Sequence, residues 1–521
     1  MKLTVQPILP PPFIYATAML SGGAIMVAEI LGAKLLAPYV GTSHFVWLAQ
    51  ITVTLLALAF GYFLGGKIAD KHPRAAIPFG FIAGAAIYLA ASVPLVRPVA
   101  FGCLNLEYLA IGSLLASCFL FFAPLCLLAA TAPFYVRLLT KEVSHVGNKS
   151  GRLSAAGTLG SVLGTVLVGY FVIPEIPNSA TMYLTCGILL AWCVLYFLKF
   201  GRLRIVALIL TVGLVGIGFG WRHEVYSNPF HHFDRLYRAQ SAFGELQVID
   251  SPDGRTRILL DDQLFQNIYD PVSKQSAADF TYMLEALSTA FTPKPERALC
   301  LGMGMGIVPM RLAKKGMLVD AIEINPSMVE PAVRFFDCDP KAFNLTIADA
   351  RTFLNKVEPA TYDTIILDVF AGDASPSHLF SKEAFQLMRR ALKPAGTLVI
   401  NTFGSLSPGR NFSIASLCKT LTQGAGFASV RIHADDEGGN IYVLAGVDTL
   451  HLYRFPDFSE MHLSCRGDVA RLFNRTVAPP AGGIVLTDDF NPIEFYDAAN
   501  REQTRRDCAM SVRSFQNMPS W

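Results

Sequence analysis

Three acidic residues in the C-terminal half of the chain each follow a short apolar run that predicts a β-strand. They are Glu323, Asp349 and Asp368, and a turn containing Gly302 and Gly304 follows another such run. In open α/β sheets, ligands bind in the crevice beyond the carboxyl ends of the strands. We therefore expect these residues to meet at one edge of a sheet and to hold a nucleoside-type ligand there.

Each of these residues has a distinct predicted role. The glycines let backbone N–H groups approach a ligand at the start of a helix. Glu323 lies about 20 residues past Gly302, where an acidic residue usually bonds ribose hydroxyls. Asp349, next to Ala350, is placed to accept a hydrogen bond from an adenine amino group. Nicotinamide remains possible and strand-end acids also cap helices, but the spacing up to Asp368 favours S-adenosylmethionine or a relative.

The elements that must position these residues form a doubly wound α/β pattern. Residues 243–260 predict a β-hairpin and residues 277–290 an amphipathic helix. Together they predict a Rossmann-like domain of the S-adenosylmethionine-methyltransferase type, with a small N-terminal β-hairpin region. The apolar runs that predict its strands lie at 298–301, 318–322, 345–348, 364–367, 397–401, 428–433 and 440–445.

The N-terminal part of the chain has a different composition. Over its 521 residues the chain is 52% hydrophobic and 16% charged, whereas soluble proteins carry about 25% charged residues. The bias lies before residue 222, where seven apolar stretches approach the roughly 20 residues that a bilayer core requires. They predict an α-helical transmembrane bundle with spans at about 13–37, 44–65, 75–96, 108–131, 153–173, 180–198 and 203–220.

These patterns divide the chain into four predicted parts. Residues 1–221 form the multi-pass transmembrane domain, and 222–292 form the hairpin and a lead-in helix. Residues 293–450 form the Rossmann-like domain, and 451–521 a C-terminal extension. We expect the protein in the cell membrane.

The charged loops bear on the orientation of the chain. By the positive-inside tendency, the loops after the second, fourth and sixth spans and the N-terminus are cytoplasmic. Seven spans would then leave the soluble domain outside, unless the stretch 97–139 hides an extra crossing or a re-entrant piece. Because the expected ligand is cytosolic, we place the soluble domain in the cytoplasm. The basic residues concerned are Lys67, Lys71, Arg74, Arg137, Lys141, Lys149, Lys199, Arg202 and Arg204.

Polar and small residues inside the predicted spans have two interpretations. Glu29 is an ionisable group within the first apolar run, which makes it either a transport or ligand site or a structural carboxylate bonded between helices. Lys34 is expected to extend its side chain to the interface. The glycines at 157, 160, 164 and 169 predict close helix packing rather than a pore.

Composition also limits the classes of partner. The net charge is +3, and no basic stripe with interleaved aromatic residues is present, so we expect no nucleic acid. The ten cysteines show no CxxC pair and no metal-type Cys/His spacing, so we expect free thiols and no metal site.

Residues 233–400 resemble the spermidine synthase family of polyamine aminopropyltransferases. The N-terminal part resembles the membrane domain of the bacterial members that carry one, at Leu36–Gly41, Phe60–Gly66 and Leu159–Thr165. Thr487–Asp489 also fits this group, although a helix cap explains it equally well. The resemblance implies transfer of an aminopropyl group from decarboxylated S-adenosylmethionine to an amine such as putrescine. This reaction releases methylthioadenosine and requires neither a permanently bound cofactor nor a metal.

The resemblance assigns roles on the donor side residue by residue. Glu323 matches the acid that binds ribose, and Asp349 with Ala350 matches the adenine pair. Gln266 matches the glutamine of an L-D-G-x-x-Q turn. Asp368 matches the first acid of the catalytic loop, which is the proposed base for the amine.

The amine side departs from the family pattern. Met305 stands where the family has an aspartate that holds the aminopropyl ammonium, and Ala371 replaces the second acid of the catalytic loop. Gly244 replaces a glutamine. Asp373 and Tyr282 are candidate substitutes for binding the amine.

Three functions therefore remain open. One is a membrane-bound aminopropyltransferase with an altered amine site, and another is a methyltransferase that uses ordinary S-adenosylmethionine. The third is a non-catalytic ligand sensor or transporter. The expected partners are a polyamine or other small amine and the lipid bilayer, and a homodimer is possible.

Overall fold

The structure is a computed structural model, and it divides the chain into two compact units, Met1–Pro229 and Phe230–Trp521. The first is helical and the second is an α/β domain, in agreement with the predicted fold class. The residues that the structure describes are 9–41, 44–104, 106, 109–140, 146–200, 202–226, 233–241, 243–262, 264–370, 376–435, 439–496, 500, 503 and 506.

The first unit consists of long apolar helices joined by short connections. Two segments of π-helix, Cys118–Phe122 and Leu167–Val172, continue α4 and α7. The helices are α1 (Pro11–Val40), α2 (His44–Lys71), α3 (Ala76–Leu104), α4 (Leu109–Ser117), α5 (Ala123–Ala129), α6 (Thr131–Leu139), α7 (Val146–Val166), α8 (Asn178–Lys199) and α9 (Leu203–Tyr226).

Seven helical stretches within the described residues are long and apolar enough to cross a bilayer. Their number agrees with the sequence prediction. The stretch in which an extra crossing was considered contributes one candidate, Ala110–Leu139, after α3 ends. The others are Pro11–Val40, Val46–Lys71, Ala76–Cys103, Val146–Val172, Asn178–Lys199 and Leu203–Arg222.

Small residues bring α1 and α7 into backbone contact. A Cβ atom added at Gly160 would lie 2.0 Å from the carbonyl oxygen of Met19, and one at Gly22 would lie 2.3 Å from that of Gly157. Ser161 Oγ donates a hydrogen bond of 3.1 Å to the carbonyl oxygen of Gly22. The predicted close packing is therefore present at this pair of helices. At Gly169, by contrast, no atom of the described residues lies within 4 Å of an added Cβ atom.

The second unit begins with an antiparallel sheet that is larger than the predicted hairpin. The hairpin itself is present, and Ser251–Gly254 closes it through a hydrogen bond from Gly254 N to Ser251 O of 2.9 Å. Further strands on both sides extend it to five, in the order β1-β2-β3-β4-β5. The strands are β1 (Asp234–Gln240), β2 (Glu245–Asp250), β3 (Arg257–Asp261), β4 (Leu264–Asp270) and β5 (Gln275–Ser276).

A seven-stranded sheet forms the centre of the unit, in the order β11-β12-β10-β9-β6-β7-β8. Strands β6 to β10 are parallel, and the antiparallel β12 and β11 complete the sheet beside β10. The strands are β6 (Arg297–Leu301), β7 (Leu318–Glu323), β8 (Asn344–Ile347), β9 (Tyr362–Leu367), β10 (Leu392–Phe403), β11 (Ser429–His433) and β12 (Asn440–Gly446).

Helices cover both faces of this sheet and bury two apolar cores. The segment after β12 belongs to one of them, because Val469 and Phe473 pack with the helix before β6. The strands and the C-terminal segment therefore share one interior. The helices are α10 (Asp279–Ala290), α11 (Ile307–Lys314), α12 (Val329–Phe335), α13 (Ala350–Leu354), α14 (Lys382–Ala391), α15 (Phe412–Lys419), α16 (Arg466–Asn474) and α17 (Ile493–Tyr496).

Candidate functional site

The glycine turn between β6 and α11 forms the floor of the site. Gly302 and Gly304 have φ angles of 97° and 53°, in the left-handed region that favours glycine. A Cβ atom at Gly302 would lie 2.1 Å from the carbonyl oxygen of Asp368, at the end of the adjacent strand β9. Within the described parts of the chain, nothing lies within 4 Å of the corresponding position at Gly304. The turn is therefore closely packed on one side and open to a ligand on the other.

Glu323 ends β7, on the opposite side of the turn from Asp368. Its carboxylate accepts hydrogen bonds from Met303 N at 3.1 Å and from Asn325 N at 2.8 Å. Only 8% of the residue is exposed, and this burial raises the pKa of its carboxyl group despite the N–H donors. Each carboxylate oxygen retains a further lone pair that can accept a ligand hydroxyl. Glu323 thus braces the glycine turn and stands where the sequence places a ribose-binding acid.

Asp368 follows β9, and its half-buried carboxylate lies beside Asn401 of β10. Asn401 Nδ2 donates a hydrogen bond of 2.9 Å to Asp368 Oδ1. Burial raises the pKa of Asp368 to about 6; the Asn401 hydrogen bond lowers it and the charge of Glu323 raises it. A carboxylate with this pKa is ionised at neutral pH and is basic enough to accept a proton from a reacting group.

Asn401 and two aromatic residues lie near the carboxyl ends of β9 and β10, and sequence reasoning missed all three. Strands β9 and β10 are parallel and in register at Leu367 and Ile400. Phe370 and Phe403 lie two residues beyond Asp368 and Asn401, and their ring centroids are 5.0 Å apart. The signal in the sequence is the alternation along β10, which places Asn401 and Phe403 on the same side of that strand.

Asp349 ends the connection from β8 and begins α13. Its Oδ1 atom accepts a hydrogen bond of 2.8 Å from Thr352 N, so it caps the helix, and its Oδ2 atom lies 3.2 Å from His378 Nε2. Burial opposes ionisation, but the hydrogen bonds from Thr352 and His378 outweigh it and hold the pKa of Asp349 below its usual value. Ala350 is buried beside it. The Asp349 carboxylate can cap α13 and also accept a hydrogen bond from an adenine, because a carboxylate has about four acceptor positions.

The C-terminal segment holds the residues around His378 in place. Arg351 of α13 donates to the His378 carbonyl oxygen at 2.8 Å and forms an ion pair of 2.7 Å with Asp488. Asn491 Nδ2 donates to the carbonyl oxygen of Ser377 at 2.9 Å. The segment containing Thr487–Asp489 therefore supports the Asp349 side of the site from behind.

The antiparallel sheet reaches the site through its first turn. Asn325 Nδ2 donates to Ser241 Oγ at 3.2 Å, which joins the β1–β2 turn to the residues after Glu323. Gln266 lies half-buried on β4 of the same sheet. The sheet that carries Gln266 is thus attached to the segment after Glu323.

Two residues considered for the amine side lie inside the protein. The Tyr282 hydroxyl donates to Ser276 O at 2.7 Å and accepts from His462 N at 3.1 Å, and the residue is fully buried. Its polar atom is committed to the fold, so we do not carry Tyr282 into the proposed site. Met305 is 1% exposed and packs in the core beneath the glycine turn. Asp373 and Ala371 lie outside the described residues.

Comparison with known proteins supports the family expected from the sequence. Residues 279–417 match the spermine/spermidine synthase domain. The polyamine aminopropyltransferase of Vibrio vulnificus is 34% identical over 142 residues, which are 26% of this chain and 47% of that protein. The N-terminal histidine N-methyltransferase of Emericella nidulans is 30% identical over 195 residues, which are 34% of this chain and 35% of that protein. The chain thus spans about half the length of the first relative and about a third of the second.

A solved structure shares a weaker overall likeness. The probable spermidine synthase from Corynebacterium glutamicum is 20% identical, with a TM-score of 0.37, over 47% of this chain and 87% of that one.

Proposed function

We propose that this chain, which carries a spermine/spermidine synthase domain at residues 279–417, transfers an aminopropyl group from decarboxylated S-adenosylmethionine to an amine. The observation that carries the proposal is the Asp368 carboxylate, whose pKa is raised to about 6 beside the glycine turn. Its Oδ1 atom accepts from Asn401, and Oδ2 has no hydrogen-bond partner within the described parts of the chain. Asp368 is therefore available as a base.

The donor occupies the glycine turn in this proposal. Backbone at Gly302 and Gly304 faces the nucleoside, Glu323 accepts from its ribose hydroxyls, and Asp349 accepts from the adenine amino group. Ala350 packs against the ring. Gln266 approaches the donor from the antiparallel sheet, which Asn325 and Ser241 attach to this edge.

The acceptor amine lies between the donor sulfonium and Asp368. The amine nitrogen uses its lone pair to form a bond with the aminopropyl carbon next to sulfur. The carbon–sulfur bond breaks, and its electron pair neutralises the sulfonium to give methylthioadenosine. The nitrogen loses one proton, which Asp368 accepts and later passes to solvent. Burial disfavours the charged form of the amine, whereas the negative charge of Asp368 favours it. Acceptance of the proton is therefore the step in which Asp368 matters most.

The amine side of the site differs from a pocket built from carboxylates. Met305 places an apolar side chain in the core, so this position offers no negative charge to an ammonium group. We assign recognition of the ammonium groups to Asp368, to the Asn401 Oδ1 atom and to the faces of Phe370 and Phe403. A cation placed over an aromatic face is attracted by about 0.5–2 kcal/mol. Asp373 remains a further candidate for this side.

A second candidate function is methyl transfer from ordinary S-adenosylmethionine. It is favoured by Met305, because the ordinary donor carries its own carboxylate, and by the likeness to the Emericella nidulans enzyme. The proposed site holds the nucleoside in the same way for either donor. The two reactions differ in which sulfonium substituent is transferred.

We also propose that the protein is a multi-pass membrane protein, since its seven apolar helices are long enough to span a bilayer. We place the second unit in the cytoplasm, where the donor is made. After seven spans this puts the N-terminus and the three basic loops outside, contrary to the positive-inside tendency. Labelling single cysteines introduced at Glu175 and Glu358 with a membrane-impermeant maleimide, in a background without accessible thiols, decides the orientation. Labelling of Glu358→Cys only after the cells are opened supports the cytoplasmic placement.

One experiment separates the candidate reactions. Purified full-length protein is incubated with decarboxylated or ordinary S-adenosylmethionine and a panel of amines, and the products are identified by mass spectrometry. Methylthioadenosine from the decarboxylated donor supports aminopropyl transfer, whereas S-adenosylhomocysteine from the ordinary donor indicates a methyltransferase. If the protein binds the donor but forms neither product, and Glu323→Ala abolishes this binding, the protein is a ligand sensor and neither transferase function holds.

A further inference from the structure

A polar cluster lies between α1 and α2 in the first unit. Glu29 is half-buried, and the side chain of Thr54 lies beside its carboxylate. Glu29 lies eleven residues before the end of α1 at Val40, and Thr54 lies ten residues after the start of α2 at His44. At 1.5 Å per residue, both side chains are about 15 Å from the connection between the helices. The cluster therefore lies deep within two candidate membrane spans.

Gln50 is the second polar member of this cluster. It is 0% exposed, and neither its Nε2 nor its Oε1 atom has a hydrogen-bond partner within the described residues. Thr54 Oγ1 donates to the carbonyl oxygen of Gln50 at 2.9 Å, one turn along the same helix. A buried amide without partners is unfavourable, and in a bilayer no solvent compensates for it.

Gly32 gives the Gln50 amide its place against α1. A Cβ atom at Gly32 would lie 2.7 Å from Gln50 Nε2 and 3.0 Å from Oε1. Gly32 is three residues after Glu29, so the two residues share one face of α1. The carboxylate of Glu29, the hydroxyl of Thr54 and the amide of Gln50 therefore converge within about one helical turn.

This carboxylate has no cationic partner in the part of the chain that the structure describes. The ion pairs found there all lie in the second unit. Acidic residues at membrane depth are costly and normally pair with a cation or line a path for one.

We propose that Glu29, Gln50 and Thr54 form an intramembrane binding site for a primary ammonium ion. A primary ammonium has three N–H donors, and the site offers three kinds of oxygen acceptor: carboxylate, amide and hydroxyl. The positive charge balances Glu29, and the Gln50 oxygen gains the partner it lacks. The inference rests on the proposed membrane location but not on the transferase chemistry, because all its residues belong to the first unit.

Infrared difference spectroscopy on the reconstituted full-length protein tests the proposal. Buffer containing choline, which has no N–H donor, is exchanged for buffer containing methylammonium, and carboxylate bands are recorded. The experiment uses the Asp368→Asn background, so that the soluble site contributes no signal from its base and failure of the transferase proposal does not affect the result. We expect methylammonium to shift a carboxylate band, and Glu29→Gln to abolish that shift.

Matched variants separate ligand binding from a fold defect. Gln50→Leu and Thr54→Val are each expected to weaken the methylammonium dependence at least about tenfold, as for loss of one hydrogen bond to a charged group. Gly32→Ala displaces the Gln50 amide and should weaken it as well. Thr52→Val, at an exposed position two residues from Thr54, and Glu175→Gln should leave the spectrum unchanged.

Two outcomes overturn the proposal. One is a band shift that sodium produces as strongly as methylammonium, which would assign the cluster to a simple cation. The other is the absence of any ammonium-dependent shift in well-folded protein that retains Glu29. Glu29 would then have only a structural role between α1 and α2.

Discussion

Asn401 donates a hydrogen bond of 2.9 Å to the carboxylate of Asp368 from the neighbouring strand. The contact joins the proposed base to an amide that is 2% exposed and whose own oxygen has no partner within the described residues. Asn401 therefore stabilises the ionised form of Asp368 and, in our proposal, offers its oxygen to the amine.

The pH dependence of the reaction should reflect this contact. Asp368 must be ionised to accept a proton, so kcat/KM should fall as the pH decreases through about 6. The Asn401 hydrogen bond lowers the pKa of Asp368, so Asn401→Leu should raise that pKa and move the acidic limb to higher pH. Rate profiles with saturating donor and limiting amine test this. Glu358→Gln, at an exposed acid, serves as control, and an unmoved limb in Asn401→Leu would refute the coupling.

Glu323→Gln should weaken binding of the nucleoside. The variant removes a charge that accepts from Met303 and Asn325 and, in our proposal, from ribose. One lost charge-assisted hydrogen bond corresponds to a decrease in affinity of about tenfold or more. Calorimetric titration with methylthioadenosine measures it. Equal affinity in Glu323→Gln and Glu358→Gln would remove Glu323 from the site.

The two glycines of the turn provide a matched pair of substitutions. Gly302→Ala combines a strained φ with a Cβ 2.1 Å from the Asp368 carbonyl oxygen, whereas Gly304→Ala meets no atom of the described residues within 4 Å. We expect Gly302→Ala to destabilise the protein by about 2 kcal/mol or more. Gly304→Ala should cost about 1 kcal/mol, from its left-handed φ alone. Thermal unfolding of the two purified variants compares them, and similar midpoints would contradict the packing of the turn against β9.

Asp349 has both a structural and a proposed binding role, and two substitutions distinguish them. Asp349→Asn keeps an oxygen that can cap α13 and accept from adenine, so stability and nucleoside affinity should change little. Asp349→Ala should cost about 1 kcal/mol as a lost cap and should also reduce affinity for methylthioadenosine. Reduced stability with full affinity in Asp349→Ala would leave Asp349 as a helix cap only.

The sequence predicted most of the central sheet because its strands are short apolar runs that end in acids or glycines. The residues at 298–301, 318–322 and 364–367 lie in β6, β7 and β9 as expected. The five-stranded sheet was predicted only as a hairpin, because β1 and β4 mix polar and apolar residues without clear alternation. The order of the strands could not be predicted from local sequence either, because it depends on which apolar faces pack together.

The candidate site shows the same division between local and non-local information. Glu323 and Asp368 carry charges at strand ends and were therefore visible in the sequence. Asn401 ends an apolar strand, and only its register with β9 brings it to Asp368. Tyr282 was a candidate substitute for binding the amine, but α10 is buried on nearly every side and the tyrosine hydroxyl bonds within the interior.

Single-turnover formation of methylthioadenosine tests the central claim most directly. Full-length protein is mixed with decarboxylated S-adenosylmethionine and the amine that the panel identifies, and wild type is compared with Asp368→Asn. We predict that the variant binds the donor with unchanged affinity. Its rate of methylthioadenosine formation should be lower by a factor of about a hundred or more, as expected for loss of a general base. An equal rate in the two proteins would contradict the assignment of Asp368 and, with it, the proposed mechanism.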